Sequence, residues 1–219
     1  MTQVPLFLSS LSSDPSICAD FVGRVPGIEL GFEKDEVVAR LKPAHEHTVK
    51  KLGFSWNQLH LAEQVHGADL ALVRRDDPAQ TWAGVDGLIT ANTGDLLGIY
   101  VADCGAVYIH DPVCRVIALL HSGKKGTEAN ITGKAIQQMT DEFGSSPKDL
   151  VVALSPCIRP PAYEVDFASE IRRQVLAAGV PEKQYTDAGI CTASEVNTYY
   201  SYRVEKGKTG RMLALLGMI

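Results

Sequence analysis

The chain has 219 residues, of which 45% are apolar and 21% charged, and its formal net charge is −5. This length suffices for one domain with its own hydrophobic core, and the composition is globular rather than disordered. An acidic balance with scattered lysines and arginines argues against a nucleic-acid-binding surface. The start lacks the basic region of a secretion signal, and no segment approaches the roughly 20 apolar residues that span a bilayer. We therefore expect a cytoplasmic protein with no nucleic-acid or membrane partner.

The N-terminal third carries a helical composition over residues 37–52. Pro43 interrupts it, because proline lacks the N–H that an interior helical position needs. The sequence therefore predicts a short helix, a corner and a second short helix. His45 and His47 in the same segment resemble a copper-binding pair, but a solvated helix end explains them more simply.

From residue 59 onward, short aliphatic runs separated by turn residues predict strands. Several are almost wholly apolar, which indicates central strands covered on both faces. The predicted strands are Leu59–Val65, Leu70–Val73, Asp86–Thr90, Leu96–Ala102, Ala106–His110, Arg115–Leu120, Asp149–Ser155 and Met212–Ile219.

Apolar residues that recur every four positions predict two helices. One stripe begins at Ile131 and ends before Gly144; the other begins at Phe167, with Asp166 as its N-cap, and ends before Gly179. Strands mixed with helices predict an α+β fold in which mixed β-sheets carry covering helices. The chain shows no repeat or linker, so we expect a single domain over residues 1–219.

Three candidate metal ligands, His66, Cys104 and His121, each follow or end a predicted strand and precede a glycine turn. Two imidazoles and one thiolate are the ligand set of a catalytic zinc ion, which keeps a fourth position open for water or substrate. Zinc lowers the pKa of bound water to roughly 7. The spacing matches no local metal motif, and a packed or hydrogen-bonded role for each residue remains open. The chain has five cysteines, an odd number, and none in C-x-x-C spacing, so no disulfide framework is indicated.

The turn after His121 contains Lys124, Lys125 and Gly126. It resembles glycine-rich turns that bind anions through backbone N–H groups, although an exposed basic turn explains it equally well. Asp103 is a candidate general base or ligand-orienting group, and turn capping is the alternative. Tyr163 and Glu164 are candidate cleft-lining residues.

Several ordered motifs together resemble the laccase-domain family, also known as multicopper polyphenol oxidases and purine nucleoside phosphorylases. The motifs are Gln64-Val-His-Gly67, Asp86-Gly-Leu-Ile-Thr90, Ala102-Asp-Cys104, His121-Ser-Gly123, Tyr163-Glu-Val165, Cys191-Thr192, Tyr200-Ser-Tyr-Arg203 and Gly210-Arg211. The resemblance runs from about residue 59 to the C terminus, and residues 1–58 diverge from it.

The resemblance implies that His66, Cys104 and His121 bind zinc, with copper as the alternative. It implies a purine nucleoside phosphorylase with adenosine deaminase activity, in which zinc-activated water or phosphate attacks a nucleoside. Cys104, Asp103 and Lys125 are the predicted catalytic residues. Predicted contacts to phosphate and substrate come from Gln64, Lys124, Lys125 and Gly126.

One departure from the family pattern bears on the substrate. Family members usually carry His-Ala-Gly-Trp-Arg-Gly where this chain has His121-Ser-Gly-Lys-Lys-Gly126, and lysine cannot replace the planar arginine fork at a phosphate. A non-catalytic metal-binding or interaction protein, which kept the site while the Lys124-Lys125 replacement abolished purine turnover, stays open. So do two other enzymatic functions. One is a cysteine hydrolase acting on a peptidoglycan precursor with Cys104 as nucleophile. The other is a copper polyphenol oxidase, although four coppers need roughly ten His and Cys ligands and the chain has six histidines.

Overall fold

The structure, a computed structural model, describes residues 4–219 and contains two β-sheets stacked face to face. The strands are Ile17–Val22 (β1), Leu59–Ala62 (β2), Leu70–Val73 (β3), Thr81–Trp82 (β4), Gly87–Thr90 (β5), Leu96–Val101 (β6), Gly105–Asp111 (β7), Val116–Ser122 (β8), Val151–Leu154 (β9), Tyr185–Asp187 (β10) and Met212–Met218 (β11). The α-helices are Lys34–Lys51 (α1), Lys124–Glu128 (α2), Ile131–Phe143 (α3) and Phe167–Ala177 (α4). Short 3₁₀ turns cover Leu6–Leu8, Trp56–Gln58, Pro147–Asp149 and Glu182–Gln184.

The two sheets are both mixed in strand direction. One has five strands in the order β1-β11-β6-β2-β4, and the other has six in the order β10-β9-β7-β8-β5-β3. In β7, Ala106 and Tyr108 point to the core between the sheets, while Val107 and Ile109 point to the core under α3 and α4. Because successive side chains face opposite sides of a strand, a strand covered on both faces reads as a continuous apolar run. The predicted mixed sheets with covering helices are thereby confirmed.

The helices form the outer layers of the fold. Helices α3 and α4 cover the six-stranded sheet, and the C-terminal part of α1 covers the outer face of the five-stranded sheet. Asp166 caps α4 as predicted, since its carboxylate accepts a hydrogen bond from the backbone N–H of Ser169 at 3.0 Å. Among residues 4–219, no helix has both the length and the apolar character needed to cross a bilayer.

The prediction of two short helices around Pro43 was wrong, because α1 continues through it. Pro43 lies on the exposed side of the helix, and so does Ala39, whose carbonyl loses its partner. Water can satisfy that carbonyl, so the penalty of an interior proline is partly relieved. The buried stripe of Val37, Leu41, His45 and Val49 holds the helix on the sheet. His45 is therefore fully buried, not solvated as expected, whereas His47 is exposed.

Candidate metal centre

The three predicted ligands converge at one edge of the six-stranded sheet. Strands β7 and β8 are antiparallel, with Gly105 opposite Ser122, so Cys104 before β7 lies beside the end of β8 that carries His121. His66 lies in the loop after β2. One donor atom from each of His66, Cys104 and His121 lies within 4.8 Å of the other two.

Asp86 brings the two imidazoles together. Its carboxylate accepts hydrogen bonds from the backbone N–H groups of Val65 at 3.2 Å, His66 at 2.9 Å and Gly67 at 2.6 Å. The same carboxylate lies 2.7 Å from Nδ1 of His121. Asp86 is fully buried. It therefore fixes the His66 loop and leaves Nε2 of His121 to face the cluster, an arrangement that orients metal-binding histidines in many proteins.

Cys104 and His121 shift each other's pKa. Burial alone would raise the pKa of the Cys104 thiol, but the charges and hydrogen bonds of His121 and His66 outweigh it and lower the pKa to about 6. Burial likewise opposes protonation of His121, but Cys104 and Asp86 raise its pKa to about 9. The pocket thus favours a positive charge between the sulfur of Cys104 and the carboxylate of Asp86. A metal ion can supply this charge in place of the proton on His121.

Gly123 gives the Cys104 sulfur its space. A Cβ atom at position 123 would overlap Sγ of Cys104, so only glycine fits between the end of β8 and the thiol. Strand β8 continues directly into this glycine. The glycine that follows His121-Ser is therefore required by packing against a ligand, not by turn geometry.

The donor set fits zinc better than a hard cation. Two imidazole nitrogens and one thiolate are ligands that zinc prefers, and three protein ligands leave a fourth position open. Tetrahedral zinc has bonds of about 2.0–2.3 Å, which places its donors roughly 3.5 Å apart. The three donor atoms, all within 4.8 Å of one another, converge on one point as a single ion requires.

The cluster opens into a cavity of about 770 Å³. One part of its wall is apolar and aromatic and includes Ile158, Tyr163 and Phe167. The rings of Tyr163 and Phe167 meet edge to face, with centroids 6.1 Å apart. Basic side chains line much of the rest. A cavity of this size with mixed walls suits a small ligand that has a flat apolar part and an anionic part.

Two predicted site residues line the cavity but use their polar groups inside the fold. The amide of Gln64 donates to the backbone carbonyl of Tyr100 and accepts from its N–H at 3.0 Å. Asp103 accepts from the hydroxyl of Thr192 at 2.7 Å and from the N–H of Arg203 at 2.7 Å. Both residues therefore brace the loops around the cluster, and their direct roles in binding or catalysis stay predictions.

The predicted basic turn divides between cavity and core. Lys124 and Lys125 begin α2, are exposed and line the cavity. Gly126 is buried, and a Cβ there would lie 3.0 Å from the carbonyl of Gly67, so this glycine packs α2 against the His66 loop. Among residues 4–219 it does not belong to the cavity wall. Its contact with substrate stays a prediction.

Sequence reasoning missed the role of Asp86, which appeared only as the start of a predicted strand and of a family motif. A carboxylate next to a glycine is an ordinary turn signal, so the sequence alone does not separate it from a cap. Its role depends on the pairing of β5 with β8, in which the backbone N–H of His121 donates to the backbone carbonyl of Asp86 at 2.7 Å.

Comparison with known sequences identifies the family. The family described as multi-copper polyphenol oxidoreductase laccase matches residues 23–170 and 165–219. The chain belongs to this family. The match begins before residue 59 and so includes part of the segment that we considered divergent.

Relatives and solved structures are consistent with this family. A purine nucleoside phosphorylase YlmD from Geobacillus stearothermophilus is 32% identical over 87% of this chain and 82% of its own length. A purine nucleoside phosphorylase from Deinococcus radiodurans is 32% identical over 90% and 84%. The crystal structure of YlmD from Geobacillus stearothermophilus superposes with a TM-score of 0.83 at 27% identity, covering 93% of this chain and 92% of that one.

Proposed function

We propose that this protein is a zinc-dependent purine nucleoside phosphorylase that also deaminates adenosine. The observation that carries the proposal is the cluster of His66, Cys104 and His121 opening into a cavity lined by aromatic and basic side chains. Relatives at 32% identity over most of both chains are named purine nucleoside phosphorylases, which supports the same reaction class.

The cavity walls match the two parts of the reaction. Phosphorolysis forms a bond between a phosphate oxygen and C1′ of the ribose and breaks the bond from C1′ to the purine nitrogen. The leaving purine gains negative charge as this bond breaks, and the basic side chains of the cavity stabilise that charge. Tyr163 and Phe167 offer apolar ring surfaces against which a purine can pack.

The ligand cluster suits the second activity. When bound, zinc supplies a Lewis acid with an open position, the chemistry that hydrolytic replacement of the amine at purine C6 requires. The protein's own contribution is orientation: Asp86 holds the His66 loop and the His121 ring, and Gly123 leaves room for the Cys104 sulfur.

The first test measures metal content and turnover together. Protein purified without added metal is analysed by elemental mass spectrometry, and inosine and adenosine turnover are followed with and without phosphate. We expect one equivalent of zinc, base release that requires phosphate, and ammonia from adenosine. Base release that ignores phosphate, or that survives complete removal of metal, would contradict the proposal. Copper in place of zinc, with oxidation of phenols, would favour a polyphenol oxidase.

Ligand variants locate the reaction at the cluster. His66→Ala and Cys104→Ala should lose zinc and turnover while remaining folded, because both side chains lie at loop ends and not in the core. His47→Ala on the exposed side of α1 and Cys18→Ala on β1 are the matched controls. A His66 or Cys104 variant with full zinc occupancy would refute the ligand assignment.

A cysteine hydrolase is the second candidate, and one observation favours it. Cys104, His121 and Asp86 form a row in which the thiol pKa is lowered to about 6 and the imidazole is held by a carboxylate. This is the arrangement of an activated nucleophile and its base. Turnover of a peptidoglycan precursor that persists in chelator and stops on alkylation of Cys104 would establish it.

A further inference from the structure

The basic side chains that line the cavity outnumber the carboxylates that line it. Six basic side chains line it, against a single carboxylate, that of Asp103, which is engaged with Thr192 and with the backbone of Arg203. The six are Lys34, Lys124, Lys125, Arg203, Lys206 and Arg211.

Two of the six differ from the others in burial. Lys34 and Arg211 are half-buried, whereas the remaining four are exposed to solvent. Arg203 is moreover paired with Glu164 at 3.0 Å. Exposed lysines are stabilised by water, but a half-buried cation has lost part of its hydration and gains more from an anion.

The hydrogen bonds of Lys34 and Arg211 leave most of their donors free. Nζ of Lys34 donates to the carbonyl of Glu63 at 3.0 Å, and Nη1 of Arg211 donates to its neighbour Gly210 at 2.8 Å. An ammonium carries three N–H donors and a guanidinium five. Within residues 4–219, neither side chain lies within 4.0 Å of a carboxylate oxygen as an ion pair.

The fold holds these two cations close together beside the ligand cluster. The N–H of Thr209 donates to the carbonyl of Gly31 at 3.1 Å, which ties the start of α1 to the segment before β11. Burial lowers the pKa of Lys34 and the nearby charge of Arg211 lowers it further, while the carboxylates of Asp35, Asp86 and Glu63 oppose the shift. Burial also lowers the pKa of Arg211, while Tyr202 and Cys104 oppose the shift. Lys34 and Arg211 thus line the same cavity as His66, Cys104 and His121.

We propose that Lys34 and Arg211 together bind a phosphate dianion next to the His66, Cys104 and His121 cluster. A planar guanidinium and a point-charge ammonium offer complementary donors to the phosphate oxygens. The exposed Lys124 and Lys125 at the start of α2 then lie at the outer rim of the cavity and are not the main phosphate contacts. The identification of this phosphate as a reactant rests on the proposed function; the binding site itself does not.

Two ligands carry the same phosphate chemistry. One is inorganic phosphate, bound beside a nucleoside. The other is the phosphate of a nucleoside 5′-monophosphate, bound together with its own purine on the aromatic wall near Tyr163. Inorganic phosphate, adenosine and adenosine 5′-monophosphate are therefore the three probes.

The test is calorimetric binding to the zinc-loaded wild type and to Lys34→Met and Arg211→Met. We expect inorganic phosphate to bind the wild type, and each substitution to weaken it ~10-fold or more, since each removes a charge-assisted hydrogen bond. Lys208→Met, an exposed lysine outside the cavity wall, should bind phosphate as the wild type does. Arg211→Lys retains the charge and should recover part of the affinity, which guards against a folding defect.

Source and function are separated by the remaining probes. If inorganic phosphate binds together with adenosine, the ligand of the subsite is the inorganic ion. If adenosine 5′-monophosphate binds more tightly than adenosine, and this advantage is lost in Lys34→Met and Arg211→Met, the ligand is the phosphate ester. Unchanged phosphate affinity in both variants, or loss confined to a Lys124→Gln/Lys125→Gln double variant, would overturn the subsite. Phosphate binding without base release from inosine would refute the phosphorylase and leave the subsite standing. If base release depends on phosphate but the KM for phosphate is unaltered in both variants, the phosphorylase stands and the subsite is refuted.

Discussion

The substitution Asp86→Asn tests how the ligand cluster is held. One carboxylate oxygen accepts from the N–H of His66 and faces Nδ1 of His121, and the other accepts from the N–H groups of Val65 and Gly67. An amide has one acceptor oxygen, so its NH₂ group must face at least one backbone N–H in either orientation. A buried N–H without a partner costs about 1–3 kcal/mol. The charge that raises the basicity of His121 is lost as well.

Two measurements separate these effects. Denaturation of the metal-free protein in urea should show a loss of at least about 1 kcal/mol. Competition against a chromogenic chelator should show zinc affinity reduced about 10–100-fold, the usual effect of removing a partner that orients a metal ligand. Asp141→Asn on the exposed surface of α3 is the control and should change neither quantity. Zinc affinity within twofold of the wild type would refute the argument that Asp86 organises the site.

Two further substitutions follow from packing and burial. Gly123→Ala places a methyl group on Sγ of Cys104 and should abolish zinc binding by elemental analysis, whereas Gly67→Ala meets only ordinary contacts and should keep it; equal occupancy in both would contradict this. Burial lowers the pKa of His45 from 6.5 to about 4, so the unfolded chain binds a proton that the folded chain excludes. Stability should fall by up to about 3 kcal/mol as pH falls from 6.5 to 4. His45→Phe should show a smaller fall in urea denaturation across that window, and an identical fall would exclude His45 as the cause.

The central strands could be predicted because a strand that is buried on both faces reads as a continuous apolar run in the sequence. Strand β3 and helix α3 were predicted at their observed bounds, and β11 ended one residue earlier than expected. Strand β1 was missed, although Ile17, Ala19 and Phe21 alternate with less buried residues in it. Pro43 misled the prediction for α1, because its cost depends on whether the exposed side of the helix faces water.

The candidate site was only partly predictable for a physical reason. The ligands were suggested by residue type and by family resemblance, whereas their spacing along the chain carries no metal signal. Asp86, Lys34 and Arg211 become recognisable only when strand pairing brings distant segments together. Lys34 and Arg211 stand out by half-burial without a carboxylate partner, and that property does not exist in a sequence. Conversely, Lys124 and Lys125 stood out in the sequence because they are adjacent to each other and to glycines.

Backbone strain shows that the site is organised by the fold before any metal binds. Gln64, His66 and Asp103 adopt positive φ angles of 66°, 63° and 81°, a conformation that costs non-glycine residues of order 1–3 kcal/mol. Each strained segment is held by a side-chain hydrogen bond: the amide of Gln64 on Tyr100, the carboxylate of Asp86 on the His66 loop, and the carboxylate of Asp103 on Arg203. These contacts persist without zinc, because none of them uses a donor atom of the cluster. A metal ion therefore meets ligands that are already oriented, and its removal should cost activity far more than it costs the fold.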